Sequence, residues 1–199
     1  MLELRIQQHF IDSADLNYQA AQALGKPLAA AVQALLACVT GGGKVLACGS
    51  GRSGALAQAF VVQFVARYER ERPGLGALAL GADAATLSAL AREHGSDATL
   101  ARVLRAVAQP GDVLLALSAD GRDAAVLAAV EAAHEREMTV VALTGAGGGA
   151  IGQTLRETDV QVCVPSDKPA RIHEVHLLAL HCLSDGVDTQ LLGEQENPP

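Results

Sequence analysis

The fold class of the chain follows first from the stretch GGGKVLACGSGRSGALAQAF, residues 41–60. A mostly apolar run at 44–48 comes first, a turn of glycine and serine follows, and an alanine-rich segment with helical spacing completes it. An apolar run of this kind is typical of a strand that is buried on both faces. The stretch therefore predicts a strand, a tight turn and a helix, which is the repeating unit of a parallel α/β sheet.

The same alternation continues through the rest of the chain. Further apolar runs alternate with helical patterns, so the sequence predicts five strands, at 44–48, 76–80, 112–117, 138–143 and 159–164. Strands that alternate with helices form a parallel sheet whose two faces are both covered by helices. The expected fold class is therefore α/β, with a five-stranded parallel sheet.

Two helical patterns precede the first strand. Apolar residues recur with helical spacing through 3–23, and a second pattern has Pro27 near its first turn and glycines at its end. We therefore expect an N-terminal helical hairpin over 1–43, an α/β core over 44–192 and a frayed tail over 193–199. We expect all three to belong to a single domain of 1–199.

The composition excludes several function classes. Of the 199 residues, 50% are hydrophobic and 3% are aromatic, which predicts a core of closely packed Ala, Leu and Val. The net charge of −7 gives no electrostatic drive toward nucleic acid. No apolar run reaches the ~18 residues of a membrane-spanning helix, and the N-terminus lacks the features of a signal peptide. We expect a cytoplasmic protein that contacts neither nucleic acid nor membrane directly.

The cysteines agree with that compartment. Cys38, Cys48, Cys163 and Cys182 lie in apolar surroundings and lack the spacing of a CxxC motif. We interpret them as reduced core residues, rather than as disulfides or metal ligands.

Three turns follow strands at the edge where parallel sheets bind ligands: CGSGRSG, LSADGRD and TGAGGG. The first matches G-x-G-x-x-G through Gly49, Gly51 and Gly54. A nicotinamide site would also need a strand that ends in an acidic residue about 20 residues later, where this chain has the helix end RYERERPG. Two other interpretations stay open: a phosphate cradle made by Ser50, Ser53 and the helix start, or a tight turn that requires glycine.

The chain resembles the SIS (sugar isomerase) domain family through five motifs in register: GGGKVLACGSGRSGALAQAF, RYERERPG, GDVLLALSADGRDAAVLAAVEAA, MTVVALTG and ARIHEVHLLALHCLSD. The resemblance is to the phosphoheptose isomerase branch and its relative, the DnaA initiator-associating protein. It implies a flavodoxin-like three-layer α/β/α sandwich and a homotetramer with ligand sites between subunits. The isomerases of that branch convert sedoheptulose 7-phosphate to a heptose phosphate, often with zinc bound.

The resemblance places ligand-binding residues in the first turn. Ser53 matches the serine of the family's turn. Ser50 stands where Asn is usual, and Arg52 stands where a small residue is usual. These three residues and Gly51 are candidate ligand-binding residues.

The metal and catalytic positions depart from the family's pattern. The metal-binding His falls on Ala59, and the catalytic Glu falls on Gln63, which cannot serve as a carboxylate base. On the last helix, the family's Gln falls on His173, a candidate ligand contact, and its catalytic His falls on His181. His181 alone is a weak catalytic candidate, so we expect no cofactor, with zinc only if the protein is an isomerase. A metal site formed by His173, His176 and His181 with help from another chain is an alternative.

The loop LSADGRD, which matches the family's phosphate loop, departs further from the family's pattern. Ser118 matches the first serine of the family's loop, but Asp120 and Asp123 stand in place of its two other serines. All three are candidate ligand-binding residues. Each carboxylate within about 5 Å would repel a phosphate by about 1 kcal/mol or more. We therefore predict that Arg52 pairs with one of the two aspartates, so that an internal ion pair fills the phosphate position.

The end of the last helix offers an apolar pair, Leu191 and Leu192, beside acidic residues. It either packs on a neighbouring helix or gives a protein partner an exposed contact. Together with the altered site, it favours a non-catalytic, tetrameric factor that binds DnaA in replication initiation. The alternatives are a phosphoheptose isomerase or other sugar-phosphate enzyme with a rearranged site, and a sugar-phosphate sensor without turnover.

Overall fold

The computed structural model describes residues 1–193 and contains one parallel sheet of five strands. The strands are β1 Val45–Gly49, β2 Ala77–Ala79, β3 Val113–Leu117, β4 Thr139–Gly145 and β5 Val160–Val164. Each predicted strand is confirmed to within two residues at either end. The order in the sheet is β2-β1-β3-β4-β5, and every residue of the interior strands β1 and β3 is buried, which explains their continuous apolar sequence.

Helices cover both faces of the sheet, so the expected three-layer α/β/α sandwich is confirmed. The α-helices of residues 1–193 are α1 Leu2–Thr40, α2 Arg52–Val65, α3 Ala84–His94, α4 Thr99–Val107, α5 Ala124–Glu135, α6 Gly149–Thr154 and α7 Pro169–Leu192. Val45 and Ala47 face a core shared with α1, α2 and α7, whereas Leu46 and Cys48 face a core shared with α4, α5 and α6. This alternation follows from the two-residue period of a strand.

The predicted N-terminal hairpin is wrong, because residues Leu2–Thr40 form one continuous helix with Pro27 inside it. Local signals at Gly25 and Pro27 favoured a break. Buried residues on both sides of that point, including Leu24 and Ala31, pack in the same core beside α7 and hold the two halves in line. The predicted tail lies outside the described residues except for Gly193, and a single domain over 1–199 stays a prediction.

The long helix α1 contains a stretch of 18 residues that is, by length and composition, apolar enough to cross a membrane, which the sequence patterns did not indicate. Of that stretch, 22% is buried in the protomer. Its inward residues, among them Leu16, Leu24 and Leu35, belong to the core shared with α2 and α7. Helix α1 is therefore a core helix whose other side is left uncovered within one protomer.

Only two of the four cysteines are buried in the core. All four are free thiols, with Cys38 and Cys48 buried, Cys163 half-buried and Cys182 exposed. Burial raises the pKa of the Cys48 thiol to about 12, so this side chain stays a neutral packing group. Cys182 is exposed because it lies on the outward side of α7, which the apolar sequence around it did not reveal.

The topology creates a crevice beside β1. Strands β1 and β3 are neighbours, but α2 after β1 and α5 after β3 lie on opposite faces of the sheet. The turns that lead into these helices therefore diverge at the carboxyl ends of the strands. Such a switch point is where open α/β sheets bind ligands.

Candidate ligand and catalytic site

The first turn is shaped by close packing as well as by its polar groups. A Cβ on Gly49 would lie 2.6 Å from the carbonyl carbon of Ser53, so only glycine fits there. Gly51 has a φ of 55°, in the left-handed region that favours glycine. These contacts support the interpretation of a glycine-requiring turn. The turn also places Ser53, which is 5% exposed, in the first turn of α2, where its hydroxyl remains available to a pocket.

A pocket of about 360 Å³ opens between this turn and the loop after β3. The structure brings together there all the sequence-predicted ligand residues except Gly51, which lines a neighbouring cavity. Arg122 and Pro169 complete its polar and apolar walls. The predicted ligand residues that line the pocket are Ser50, Arg52, Ser53, Ser118, Asp120, Asp123 and His173.

The two aspartates of the phosphate loop are engaged within their own loop. One carboxylate oxygen of Asp120 accepts hydrogen bonds from the backbone N–H of Arg122 at 3.0 Å and from the hydroxyl of Ser118 at 3.4 Å. Asp123 caps α5, because its carboxylate accepts from the backbone N–H of Val126 at 3.0 Å. Both side chains therefore have a structural task that the sequence comparison did not indicate.

The predicted ion pair of Arg52 is wrong. Among the salt bridges of residues 1–193, none joins Arg52 to Asp120 or Asp123. Both carboxylates already accept backbone hydrogen bonds, and the Arg52 side chain is exposed at the start of α2. The pocket is therefore open, and no ion pair between the described residues fills it.

His173 also lines this pocket. Its Nε2 is 3.3 Å from the hydroxyl oxygen of Ser53, and its Nδ1 is buried without a hydrogen-bond partner among residues 1–193. One turn further along α7, His176 is fully buried, and its Nε2 donates to the carbonyl of Thr144 at 3.1 Å. Burial lowers the pKa of His176 to about 4, so that imidazole is neutral at physiological pH.

The other two family-assigned positions lie away from this pocket in the protomer. The side-chain oxygen of Gln63 accepts from the hydroxyl of Ser184 at 2.7 Å, and neither Gln63 nor His181 lines the pocket. The ring of His181 packs beside that of Tyr68, with 5.4 Å between centroids. In one protomer, these two residues are therefore positioned by contacts between α2, its following loop and α7.

The described residues of a single protomer do not form a metal site. Over residues 1–193, no group of three or more His, Cys, Asp and Glu side chains is placed to hold a metal ion. Ala59 has no donor atom, and the oxygen of Gln63 is occupied by Ser184. His173 and His176 have rings 6.3 Å apart, and Nε2 of His176 is committed to a backbone carbonyl. The described residues of one protomer therefore do not provide a donor set that fits zinc.

A second cavity, of about 560 Å³, lies on the other side of the first turn. It shares Ser50 and Asp123 with the pocket and is also lined by Gln58 and Asp97. Sequence reasoning missed Gln58 and Asp97 as site residues. The signal that would have found them is topological, since the crevice beside β1 must be bounded on this side by α2 and the segment before α4.

Comparison with known proteins places the chain in a family. Residues 9–145 match the SIS domain. The chain belongs to the SIS domain family. It is 58% identical over 196 residues to the phosphoheptose isomerase of Methylibium petroleiphilum, a match that covers 98% of each chain. It is 50% identical over 192 residues to the phosphoheptose isomerase of Azoarcus sp., covering 96% of this chain and 98% of the other.

Solved structures of the SIS family agree with that placement. The phosphoheptose isomerase of Neisseria gonorrhoeae superposes with a TM-score of 0.91 at 39% identity, covering 95% of this chain and all of the other. That of Francisella tularensis superposes with a TM-score of 0.92 at 39% identity, covering 95% of this chain and 99% of the other. The predicted resemblance and fold are therefore confirmed.

The same comparisons overturn the predicted function. A non-catalytic DnaA-associating factor is contradicted, because relatives at 58% and 50% identity over nearly the whole chain are named phosphoheptose isomerase. The predicted loss of catalysis depended on the altered positions Ala59, Gln63, Asp120 and Asp123, and it gave them more weight than the similarity of the rest of the chain. Leu191 and Leu192, at the end of α7, are 37% and 41% exposed. A protein contact at these leucines stays a prediction.

Proposed function

We propose that the protein is a sugar-phosphate isomerase of the phosphoheptose type, which interconverts sedoheptulose 7-phosphate and an aldoheptose 7-phosphate. The observation that carries this proposal is the open pocket at the switch point of the sheet. It combines hydroxyl and guanidinium donors, which suit a phosphate, with an imidazole, which suits proton transfer. The names of relatives that match the chain over nearly its whole length support the same activity.

The phosphate binds, in this proposal, beside Arg52 and Arg122. Hydroxyl groups of Ser53 and Ser118 line the same pocket, and the start of the 14-residue helix α2 adds backbone N–H groups. The two arginines and the two aspartates leave the pocket without net formal charge. Phosphate binding therefore depends on directed hydrogen bonds more than on long-range attraction.

The polyol end of the substrate extends into the adjoining cavity. Among the described residues, the lining of that cavity includes no Lys or Arg, but it includes the carboxylates of Asp97 and Asp123 and the amide of Gln58. Carboxylates and amides accept hydrogen bonds from sugar hydroxyls and would repel a phosphate. The two spaces therefore favour one orientation of an extended sugar phosphate.

The reaction in this proposal proceeds without a metal cofactor. The donor set described above does not fit zinc, so the chemistry falls to the side chains of the pocket. An isomerisation of this kind moves a proton between two adjacent carbons and needs no oxidant or reductant.

We further propose that a second copy covers the outer side of α1, as expected for a homotetramer in the cytoplasm without direct contact to nucleic acid or membrane. Large apolar side chains on the N-terminal half of this helix are exposed in the protomer, and an aqueous protein does not ordinarily leave so many uncovered. They are Leu2, Leu4, Ile6, Phe10, Ile11 and Tyr18. Sedimentation velocity should give the mass of an oligomer for the wild type and a smaller species for Phe10→Glu; a monomeric wild type would contradict this proposal.

The activity is tested by incubating the protein with sedoheptulose 7-phosphate and following the aldose by NMR, both with a chelator and with added zinc. We expect turnover that the chelator leaves unchanged. Arg52→Ala should raise KM about tenfold, the effect of one lost charge-assisted contact. Arg92→Ala is the matched control, because this arginine is 82% exposed and lies outside both cavities. Absence of product from the wild type under both conditions would refute the proposed function.

A further inference from the structure

We propose that Gly149, in the turn after β4, is a positioning residue that holds the phosphate loop, residues 117–123, in the place where Ser118 and Arg122 bind the substrate's phosphate. This inference rests on the proposed function. The turn, residues 145–149, is the third of the turns at the ligand-binding edge of the sheet, and it lines neither the pocket nor the adjoining cavity. Its role therefore has to come from what it contacts, and it contacts the phosphate loop.

The turn and the phosphate loop meet backbone to backbone. A Cβ on Gly149 would lie 2.5 Å from the carbonyl oxygen of Asp120 and 2.6 Å from that of Gly121. On the other side of the contact, a Cβ on Gly121 would overlap the carbonyl oxygen of Gly148. The backbone N–H of Ile151 donates to the Gly121 carbonyl at 2.9 Å. Both sides of the contact therefore require glycine, and a hydrogen bond joins them.

The turn is a firm support because the rest of the fold fixes it. The side chain of Ile151, just after the turn, is fully buried in the core shared with α4 and α5. The backbone N–H of Ala146 donates to the carbonyl of Ser166 at 2.8 Å, which joins the turn to the segment after β5. A Cβ on Gly148 would meet the side-chain amide of Gln161, so β5 also packs closely against the turn.

The hydrogen bonds inside the phosphate loop fix its shape but not its place beside α2. The backbone N–H of Gly121 donates to the carbonyl of Ser118 at 3.4 Å, and that of Arg122 donates to the carboxylate of Asp120 at 3.0 Å. Both bonds join residues of the loop to one another, and Asp120 and Arg122 are exposed. The contact with the turn therefore helps to set the distance from the loop to Ser53, which also lines the pocket.

A small displacement of the loop should weaken phosphate binding, because the pocket depends on directed hydrogen bonds. Its two arginines and two aspartates cancel in formal charge, so long-range attraction does not compensate for a misplaced donor. Ordinary contact at a Cβ begins at about 3.4 Å, so Gly149→Ala would push the turn and the loop apart by about 1 Å. A misplacement of about 1 Å can cost up to ~100-fold in function.

The test compares Gly149→Ala with Gly147→Ala in the same turn. The φ angles of the two glycines are 54° and 78°, so both variants strain the backbone. Only Gly149→Ala presses on the phosphate loop, since a Cβ on Gly147 meets no described residue within 4 Å beyond its chain neighbours. The measurements are calorimetric titration with inorganic phosphate, and KM and kcat for sedoheptulose 7-phosphate.

The expected result is a change in binding without a matching change in turnover. Gly149→Ala should weaken phosphate affinity and raise KM by at least ~10-fold, with kcat within about threefold, because the loop contacts the phosphate and not the reacting carbons. Gly147→Ala should leave all three quantities within about twofold of the wild type. A merely structural role for Gly149 would lower thermal stability in both variants and leave phosphate affinity alike.

The other outcomes separate this inference from the proposed function. If the wild type binds phosphate and turns over substrate while the two variants behave alike, the inference is wrong and the function stands. If the wild type neither binds phosphate nor turns over substrate, both fall. Circular dichroism checks the fold of each variant. If Gly149→Ala does not fold, hydrogen exchange of the wild type decides: saturating phosphate should slow exchange of the Ile151 amide at least ~3-fold relative to amides of α4, and an unchanged rate overturns the proposal.

Discussion

Arg72 and Asp188 form a buried ion pair between the segment after α2 and helix α7, and Asp188→Asn tests how much that pair stabilises the fold. Their side chains are 2% and 1% exposed. Arg72 also donates to the backbone carbonyls of Phe64 at 2.9 Å and Gln63 at 3.0 Å. The variant keeps the shape of the side chain but leaves a buried guanidinium without its counter-charge.

The expected loss follows from that geometry. Removing one partner of a buried ion pair costs about 3–5 kcal/mol, because the remaining charge stays desolvated. For a chain of 199 residues, each kcal/mol lowers Tm by about 2–4 °C, so the midpoint should fall by roughly 10 °C. The free energy of unfolding is measured by urea denaturation at one fixed protein concentration, because assembly would shift it.

A matched control lies nearby on the surface. Arg67 and Glu71 form an ion pair on exposed side chains, 56% and 84% accessible, so Glu71→Gln should cost less than about 0.5 kcal/mol. The double variant Arg72→Met, Asp188→Leu should be more stable than Asp188→Asn, since it removes both charges together. A loss below about 1 kcal/mol in Asp188→Asn would refute the reasoning, as would a double variant that is the least stable of the set.

Three further outcomes follow from the site and its surroundings. The pKa of His176 is about 4 in the folded protein and 6.5 in the unfolded chain, so the unfolded chain binds this proton first as pH falls. Urea titrations should therefore show the free energy of unfolding falling by roughly 3 kcal/mol between pH 6.5 and 4. The variant His176→Asn should flatten that pH dependence. Gly49→Ala should destabilise the protein and weaken phosphate binding in calorimetry, because its Cβ would meet Ser53. The control Gly25→Ala has open space around it in α1 and should raise stability by about 0.5–1 kcal/mol. Equal effects of the two substitutions would contradict this account. Asp120→Ser should bind inorganic phosphate roughly fivefold more tightly, since about 1 kcal/mol of repulsion is removed, and unchanged affinity would show that the carboxylate does not face the anion.

The sheet could be predicted from the sequence because its signals are long and redundant. Five apolar runs, each followed by a turn, leave little freedom once both faces of the sheet must be covered. The helix α1 could not be predicted as one element. Its continuity depends on packing beside α7 across Gly25 and Pro27, and that long-range contact outweighs a local preference to break.

The members of the site could be predicted, but their contacts could not. Spacing and family resemblance brought Ser53, Ser118 and His173 to one place, where the structure has them. The hydrogen bonds of Asp120 and Asp123 are local backbone geometry, which residue type alone does not specify. The same limit applies to His134, whose burial against Asp159 is a contact between residues 25 positions apart in the chain.

The altered catalytic positions also have a consistent physical interpretation. Where the resemblance expects a carboxylate, the chain has Gln63, and where it expects an amide, the chain has His173. An amide and an ionisable group have thus exchanged between α2 and α7, so the ionisable side chain of this pair now lies on α7. Gln63 hydrogen-bonds to Ser184 outside the pocket, so Gln63→Glu should leave kcat for sedoheptulose 7-phosphate unchanged. A clear rise in kcat would mean that a neighbouring subunit brings position 63 to the reacting carbon, and a site confined to the pocket of one protomer would be wrong.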